Sequence, residues 1–242
     1  MKTCDVVIIG AGIIGLSIAW QLRRRSNLRI VVCERGPAVG AGSTGASSAV
    51  CRHRYSADDM VRLARAGIHA YREWHSYLGQ RHPRAEFQRD GVLWMTGADM
   101  TWAEREQPRL AALGVHSEVL DDTDLRARFP ALNPCPQCPD LVTAAPHDCS
   151  AGNRHLLETD GGWMDPVSAA QDTADALRHA GVTLHYNTEV ETVRSAGGRV
   201  SGVVLSSGEE IGTDLVINAA GPWCNSVYRA AGIDAPMQMD PV

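Results

Sequence analysis

Residues 5–34, DVVIIGAGIIGLSIAWQLRRRSNLRIVVCE, constrain the chain more than any other stretch. The run CDVVIIG is apolar enough for a central parallel strand buried on both faces. A helical pattern follows from about Ile13 to Arg25, and LRIVVCE then repeats the strand signal, so the segment reads as a β-α-β unit. At the first turn stand Gly10, Gly12 and Gly15, in GAGIIG. The first glycine allows a tight turn, the second lets a pyrophosphate approach the backbone, and the third lets helix pack on strand. With Ala11, Ile13 and Ile14 they line a helix N-terminus whose N–H groups and dipole favour an anion.

Glu34 closes the second strand about 20 residues past the last glycine, where an acidic side chain accepts hydrogen bonds from ribose hydroxyls. A carboxylate there suits a 2′-OH and repels a 2′-phosphate, so the spacing favours the adenosine diphosphate part of FAD or NAD over NADP. The next segment, GAGSTGASSAV from Gly40 to Val50, has no charge and no aromatic ring. Such a second backbone surface has no evident use in holding NAD. It fits a longer cofactor, FAD, with Ser43 and Thr44 as hydrogen-bond donors.

Further along, residues 57–79 show one helical period with acidic residues in the first turn. FQRDGVLWMT reads as a turn and a strand, and WAEREQPRLAALG as a helix closed by Gly114. The Pro- and Cys-rich stretch from Phe129 to Gly152 reads as a loop or domain crossing. A helix runs from Pro166 to Gly181. Strands are expected at VTLHY, EVETVRS, RVSGVVLSS and DLVINAA, the middle two joined at Gly197-Gly198, and a last helix at Pro222. The expected fold class is α/β: a Rossmann-type FAD-binding domain with a parallel sheet, formed by 1–80 and 150–234, plus an incomplete antiparallel substrate domain, formed by 81–149 and 235–242.

A formal net charge of −5 leaves no basic excess for a phosphate backbone, so a nucleic-acid partner is disfavoured. The run Arg23-Arg24-Arg25 falls at a helix C-terminus, where cations meet the negative dipole end. No segment is long and apolar enough for an integral membrane span, and the start lacks a signal peptide, which reads as cytoplasmic or as a protein whose presequence has been removed. Seven scattered cysteines read as reduced thiols. Cys135, Cys138, His147 and Cys149 have some zinc-like spacing, but three prolines interleave the first pair and the last two are only two apart; no metal is expected. His69 and His75 read as surface or helix-packing residues.

Four stretches, DVVIIGAGIIGLSIAW, CERGPAVGAGSTGASSAVCRHRYS, GGWMDPVSAAQDTADALRHAGVTLHYNTEV and DLVINAAGPW, resemble the N-terminal part of the D-amino-acid oxidase superfamily, in its sarcosine oxidase, glycine oxidase and dimethylglycine dehydrogenase branch. By that resemblance Glu34 and Arg35 contact the AMP half of FAD, Gly42, Ser43, Thr44 and Ala49 line its pyrophosphate and ribityl region, and the Val190 backbone meets the adenine. Ala220, Gly221 and Trp223 border its middle, with Pro222 opening a second anion-facing helix start. Arg52 would bind a substrate carboxylate and His53 would lie beside the reacting amine; the alternative is that these side chains pair with local carboxylates or solvate a loop. The implied activity is FAD-dependent oxidation of the C–N bond of a small amine or amino acid.

Gly45 and Ala46 occupy the positions where related dehydrogenases attach FAD through histidine, so the cofactor is expected to be noncovalent. Family members usually run well past the end of this sequence, so a truncated enzyme, a subunit completed by a second polypeptide, and a degenerate protein are all open. A noncatalytic flavin-binding or assembly protein is the competing class, and an NAD-binding dehydrogenase a third reading. The strand expected at 91–96 would have no sheet partner within this chain and would invite association.

Overall fold

The computed structural model describes residues 2–95, 99–135, 142–143 and 152–235. Cys138, His147 and Cys149 of the zinc-like cluster lie outside the described residues, as do Thr96 and residues 236–242. In chain order the elements are β1 (Lys2–Thr3), β2 (Val6–Ile9), α1 (Ile13–Arg25), β3 (Ile30–Cys33), β4 (Val50–Cys51), α2 (Asp58–Arg72), α3 (Trp74–Leu78), β5 (Val92–Trp94), α4 (Trp102–Ala112) and β6 (Ser117–Asp121). They continue with α5 (Asp122–Arg128), β7 (Arg154–Glu158), β8 (Gly162–Trp163), α6 (Pro166–His179), β9 (Thr183–His185), β10 (Val190–Ala196), β11 (Arg199–Leu205), β12 (Glu210–Gly212), β13 (Val216–Asn218) and α7 (Cys224–Ala230). The fold class is α/β, with a parallel sheet and separate antiparallel sheets.

Two compact units form. One comprises Met1–Ala49, Trp74–Glu86 and Asp165–Val242; the other comprises Val50–Glu73 and Phe87–Met164. Residues 50–73 thus group with the second unit, whereas the sequence reading counts them with the nucleotide-binding part.

The first unit is built on a parallel sheet in the order β13-β2-β3-β9, with Val7 opposite Val31 on one side and Val216 on the other. All four residues of β2 are buried, as a doubly covered strand requires. Helices α1 and α6 lie side by side. A second sheet, β1-β12-β11-β10, shares with the parallel sheet a core of Cys4, Val7, Ile9, Cys33, Val193, Val203, Leu205 and Ile211. Burial pushes the Cys4 thiol up and raises Cys33 to about 12, so both are neutral packing groups. Asp165 caps α6 by accepting from Ser168 N–H at 2.7 Å, and Pro166 takes the first helical position.

The single helix expected over 57–79 is two, parted at Glu73 (φ −102°, ψ 33°). The apolar period carries on across the break, but Trp74 belongs to the first unit, where its indole N–H donates to buried Asp172 at 3.2 Å. The last helix also differs: residues 221–223 form a 3-10 turn and α7 starts at Cys224, so Pro222 does not open an α-helix. Pro222 does stand in the first turn of that 3-10 segment, whose start has no side-chain cap.

In the second unit the order is β5-β7-β6, antiparallel, with Leu93 opposite Leu157 and Val119 opposite Leu156. The expectation that the 91–96 strand lacks a partner is therefore wrong: β7 supplies one within the chain. Helix α4 packs Ala103 and Leu110 with Val61, Val115 and Leu156. Its end is closed by Gly114 N–H to Ala111 C=O (2.9 Å) and Val115 N–H to Leu110 C=O (2.9 Å), the paired bonds of a Schellman motif. Strands β4 and β8 pair as a short ribbon, Val50 opposite Trp163.

Candidate functional site

In the first unit, Gly10 sits at φ +106° where β2 turns into α1, and a Cβ there would lie 2.5 Å from the Ala219 carbonyl oxygen. Only glycine fits that turn. The α1 N-terminus, at Gly12, has no side-chain cap of its own. A hydroxyl from the second small-residue stretch serves instead: Thr44 Oγ1 accepts from Ile13 N–H at 3.0 Å. A Cβ on Gly12 would lie 3.1 Å from that oxygen, so the bare glycine is what lets the two stretches approach. Gly40 N–H also donates to Ala11 C=O at 3.0 Å, tying the stretches a second time. Thr44 has thus used an acceptor position but keeps its own O–H for donation. The N–H groups of Ile14 and Gly15 lie in the first helical turn, where the helix supplies no carbonyl partners.

Glu34 is half-buried at the end of β3. Its Oε2 accepts from Ala11 N–H at 2.8 Å and its Oε1 from Gly36 N–H at 2.7 Å. Each oxygen keeps a further lone pair, so the carboxylate is held by backbone while retaining capacity for a diol. Arg35 lies over the Trp223 ring at 4.3 Å, and Gly42 faces that same ring, since a Cβ there would lie 3.3 Å from it. Ser43 is exposed and Gly221 turns at φ +57°. Ala220 N–H donates to Asn218 Oδ1 at 3.3 Å, and half-buried Val190 opens β10. These predicted residues all belong to the first unit, as does Ala49, whose φ is +62°. The cradle fits a dinucleotide: the Ile14 and Gly15 amides of the first helical turn, a half-buried acid on two backbone donors and an exposed hydroxyl, with no charged side chain within residues 10–15.

Arg52 and His53 belong to the second unit, and the structure separates their circumstances. His53 is 6% exposed, its ring Nδ1 3.2 Å from Glu158 Oε2. Pairing with a local carboxylate, the alternative for this cluster, is what it does. Arg54 likewise pairs with Glu106 at 3.2 Å. The Arg52 guanidinium instead lies over the rings of Tyr55 (4.8 Å) and Trp94 (5.0 Å), and it has no carboxylate partner among the described residues.

Glu158 escaped the sequence reading altogether. It is fully buried and accepts from His53 N–H (2.6 Å), Arg54 N–H (3.1 Å) and Trp94 Nε1–H (2.7 Å), besides facing the His53 ring. Burial acts to raise its carboxyl, but the bonds from His53, Trp94 and Arg54 outweigh it and hold Glu158 below the ordinary carboxylate range. No group of three or more His, Cys, Asp or Glu among the described residues could hold a metal ion.

A parallel sheet with a glycine turn feeding a helix N-terminus, and an acid at the next strand end, is the arrangement of dinucleotide-binding α/β proteins. The chain belongs to the FAD dependent oxidoreductase family, DAO, whose model matches residues 5–242. It is 30% identical to glycine oxidase of Pseudomonas aeruginosa over 241 residues, covering 96% of this chain and 59% of that protein. It is 27% identical to hydrogen cyanide synthase subunit HcnC of the same organism, covering 95% of this chain and 60% of that one. Among solved structures, L-proline dehydrogenase from P. horikoshii shares the fold with a TM-score of 0.81 at 22% identity, over 96% of this chain and 56% of that one. The chain spans about half to three fifths of the length of these relatives.

Proposed function

We propose that this chain is the FAD-holding part of an oxidoreductase that oxidises the C–N bond of a small amine or amino acid. The observation that carries the reading is the crossing of the two small-residue stretches, where Thr44 caps α1, and Ala11 and Gly36 hold Glu34. The α1 amides receive the pyrophosphate, Glu34 the adenosine ribose, Gly42 and Ser43 the ribityl region, and the Val190 backbone the adenine. Noncovalent attachment is favoured by Gly45: a Cβ there would lie 2.6 Å from the Gly40 carbonyl oxygen, leaving no room for a tethering side chain.

When bound, FAD supplies the hydride acceptor. The substrate loses hydride from the carbon next to nitrogen, the nitrogen lone pair forms the C=N bond, and water hydrolyses the imine. Arg52, a cation without a neutralising acid among the described residues, binds the substrate carboxylate. Relatives named glycine oxidase and peroxisomal sarcosine oxidase support an amino-acid substrate. Relatives named as subunits, HcnC and sarcosine oxidase subunit beta, support a second polypeptide as partner. No described helix is long and apolar enough to cross a membrane.

The test is anaerobic mixing of the purified protein with glycine, sarcosine and proline. A yellow protein should lose its absorbance near ~450 nm with at least one of them, reflecting the cofactor's own chemistry. A yellow protein that none of the three bleaches supports a flavin-binding scaffold, and a colourless one removes the reading.

A further inference from the structure

The four donors on Glu158 share one neighbour. His53 and Arg54, whose backbone N–H groups it accepts, directly follow Arg52 in the chain. Trp94, whose indole N–H it accepts at 2.7 Å, offers one of the two rings beneath the Arg52 guanidinium. A free arginine side chain carries much rotamer entropy, so a guanidinium that meets a carboxylate in one geometry gains from being ordered beforehand. The usual means, a carboxylate partner, would neutralise it. Here the nearby acid is spent elsewhere: Glu106 pairs with Arg54 at 3.2 Å and Arg109 at 2.6 Å, and Arg109 also reaches Asp58.

We propose that Glu158 is a positioning residue for carboxylate recognition: it fixes the backbone after Arg52 and the indole plane on which the guanidinium rests, ordering the cation without neutralising it. This rests on the reading of Arg52 as the carboxylate-binding group. The bonding is directional. The Glu158 side chain spends Oε1 on Arg54 N–H and Trp94 Nε1–H, and Oε2 on His53. A carboxamide at 158 keeps one acceptor oxygen and turns the other position into a donor facing donors. Phenylalanine at 94 keeps a ring under Arg52 but removes the bond that sets its plane.

The experiment titrates the purified protein with acetate as the probe, following backbone amide cross-peaks of residues 51–55 by 15N–1H NMR. Steady-state kinetics are run on sarcosine where turnover is present. Wild type, Arg52→Ala, Glu158→Gln, Trp94→Phe and the control Asp172→Asn are compared. Acetate binding should vanish in Arg52→Ala. It should weaken about 10-fold or more in Glu158→Gln and Trp94→Phe, since misplacing a recognition group by about 1 Å is worth up to 10²-fold. KM for sarcosine should rise with kcat nearly kept. Asp172→Asn, which disturbs a buried carboxylate of the first unit, should lower Tm without moving acetate affinity. Unchanged affinity in Arg52→Ala overturns the reading of Arg52 itself. Loss in Arg52→Ala with wild-type affinity in the Glu158 and Trp94 variants overturns the positioning role alone. If Glu158→Gln does not fold, Trp94→Phe decides.

Discussion

Each unit contains one buried carboxylate with nearly the same set of donors, and the two sites differ in what they hold still. In the first unit Asp172, on α6, accepts from Arg84 N–H (3.0 Å), Ala85 N–H (2.9 Å), Trp74 Nε1–H (3.2 Å) and the Arg84 guanidinium (3.1 Å). In the second, Glu158 accepts from His53 N–H, Arg54 N–H and Trp94 Nε1–H and faces the His53 ring. Two consecutive amides, one indole and one basic side chain recur. The fourth donor separates them: a guanidinium, half in solvent and shared with Asp175, against an imidazole that is buried. Asp172 fastens the returning segment 74–85 to a scaffold helix. Glu158 fastens the residues that follow an unneutralised arginine. The same chemistry serves architecture in one place and, on the proposed reading, preorganisation in the other.

That contrast can be broken by substitution. The largest effect is expected from Asp172→Ala, which strands two backbone amides and an indole and should cost about 3–5 kcal/mol in urea unfolding. Glu158→Gln should cost less, about 2–3 kcal/mol at neutral pH, because one oxygen still accepts. Equal losses in the two would mean that the oxygen retained by glutamine accepts nothing from the Glu158 donors.

A pH series sharpens the comparison. The folded-state value of Glu158 is lowered, so its stabilisation is full above the unfolded carboxyl value of about 4.3 and is lost as pH falls through the lower folded value. The stability gap between wild type and Glu158→Gln should therefore narrow from pH 7 toward pH 3. A gap that widens on acidification would reverse the assignment. The smallest effects are expected from the indoles: Trp74→Phe and Trp94→Phe should each cost about 1 kcal/mol, similar in stability, while only the second weakens acetate binding.

How much of this the sequence discloses differs sharply between the two carboxylates. The β2-α1-β3 unit and Glu34 are legible because strand, glycine turn, helix and acid are consecutive, and each local signal agrees with the next. Glu158 is illegible because its partners lie 64 to 105 residues away. Strand β7, RHLLE, carries polar residues at three of five positions, so no apolar alternation marks it; its burial exists only once His53, Arg54 and Trp94 arrive. Missing β7 is also why the 91–96 strand seemed to lack a partner. The break at Glu73 is hidden for the same kind of reason. Trp74 and Leu78 continue the helical period of α2, yet both are buried in the first unit, where Trp74 donates to Asp172. Thr44 is legible as a hydroxyl in a bare stretch of backbone, but its bond to Ile13, 31 positions back, is not.

Cys33, sealed beneath the parallel sheet with its thiol raised to about 12, is unreactive while the sheet is intact. Its alkylation can proceed only through opening, so the labelling rate of this one sulfur clocks excursions of the nucleotide-side core under native conditions. The protein thus carries its own gauge of how often that core breathes, readable by mass spectrometry without denaturant.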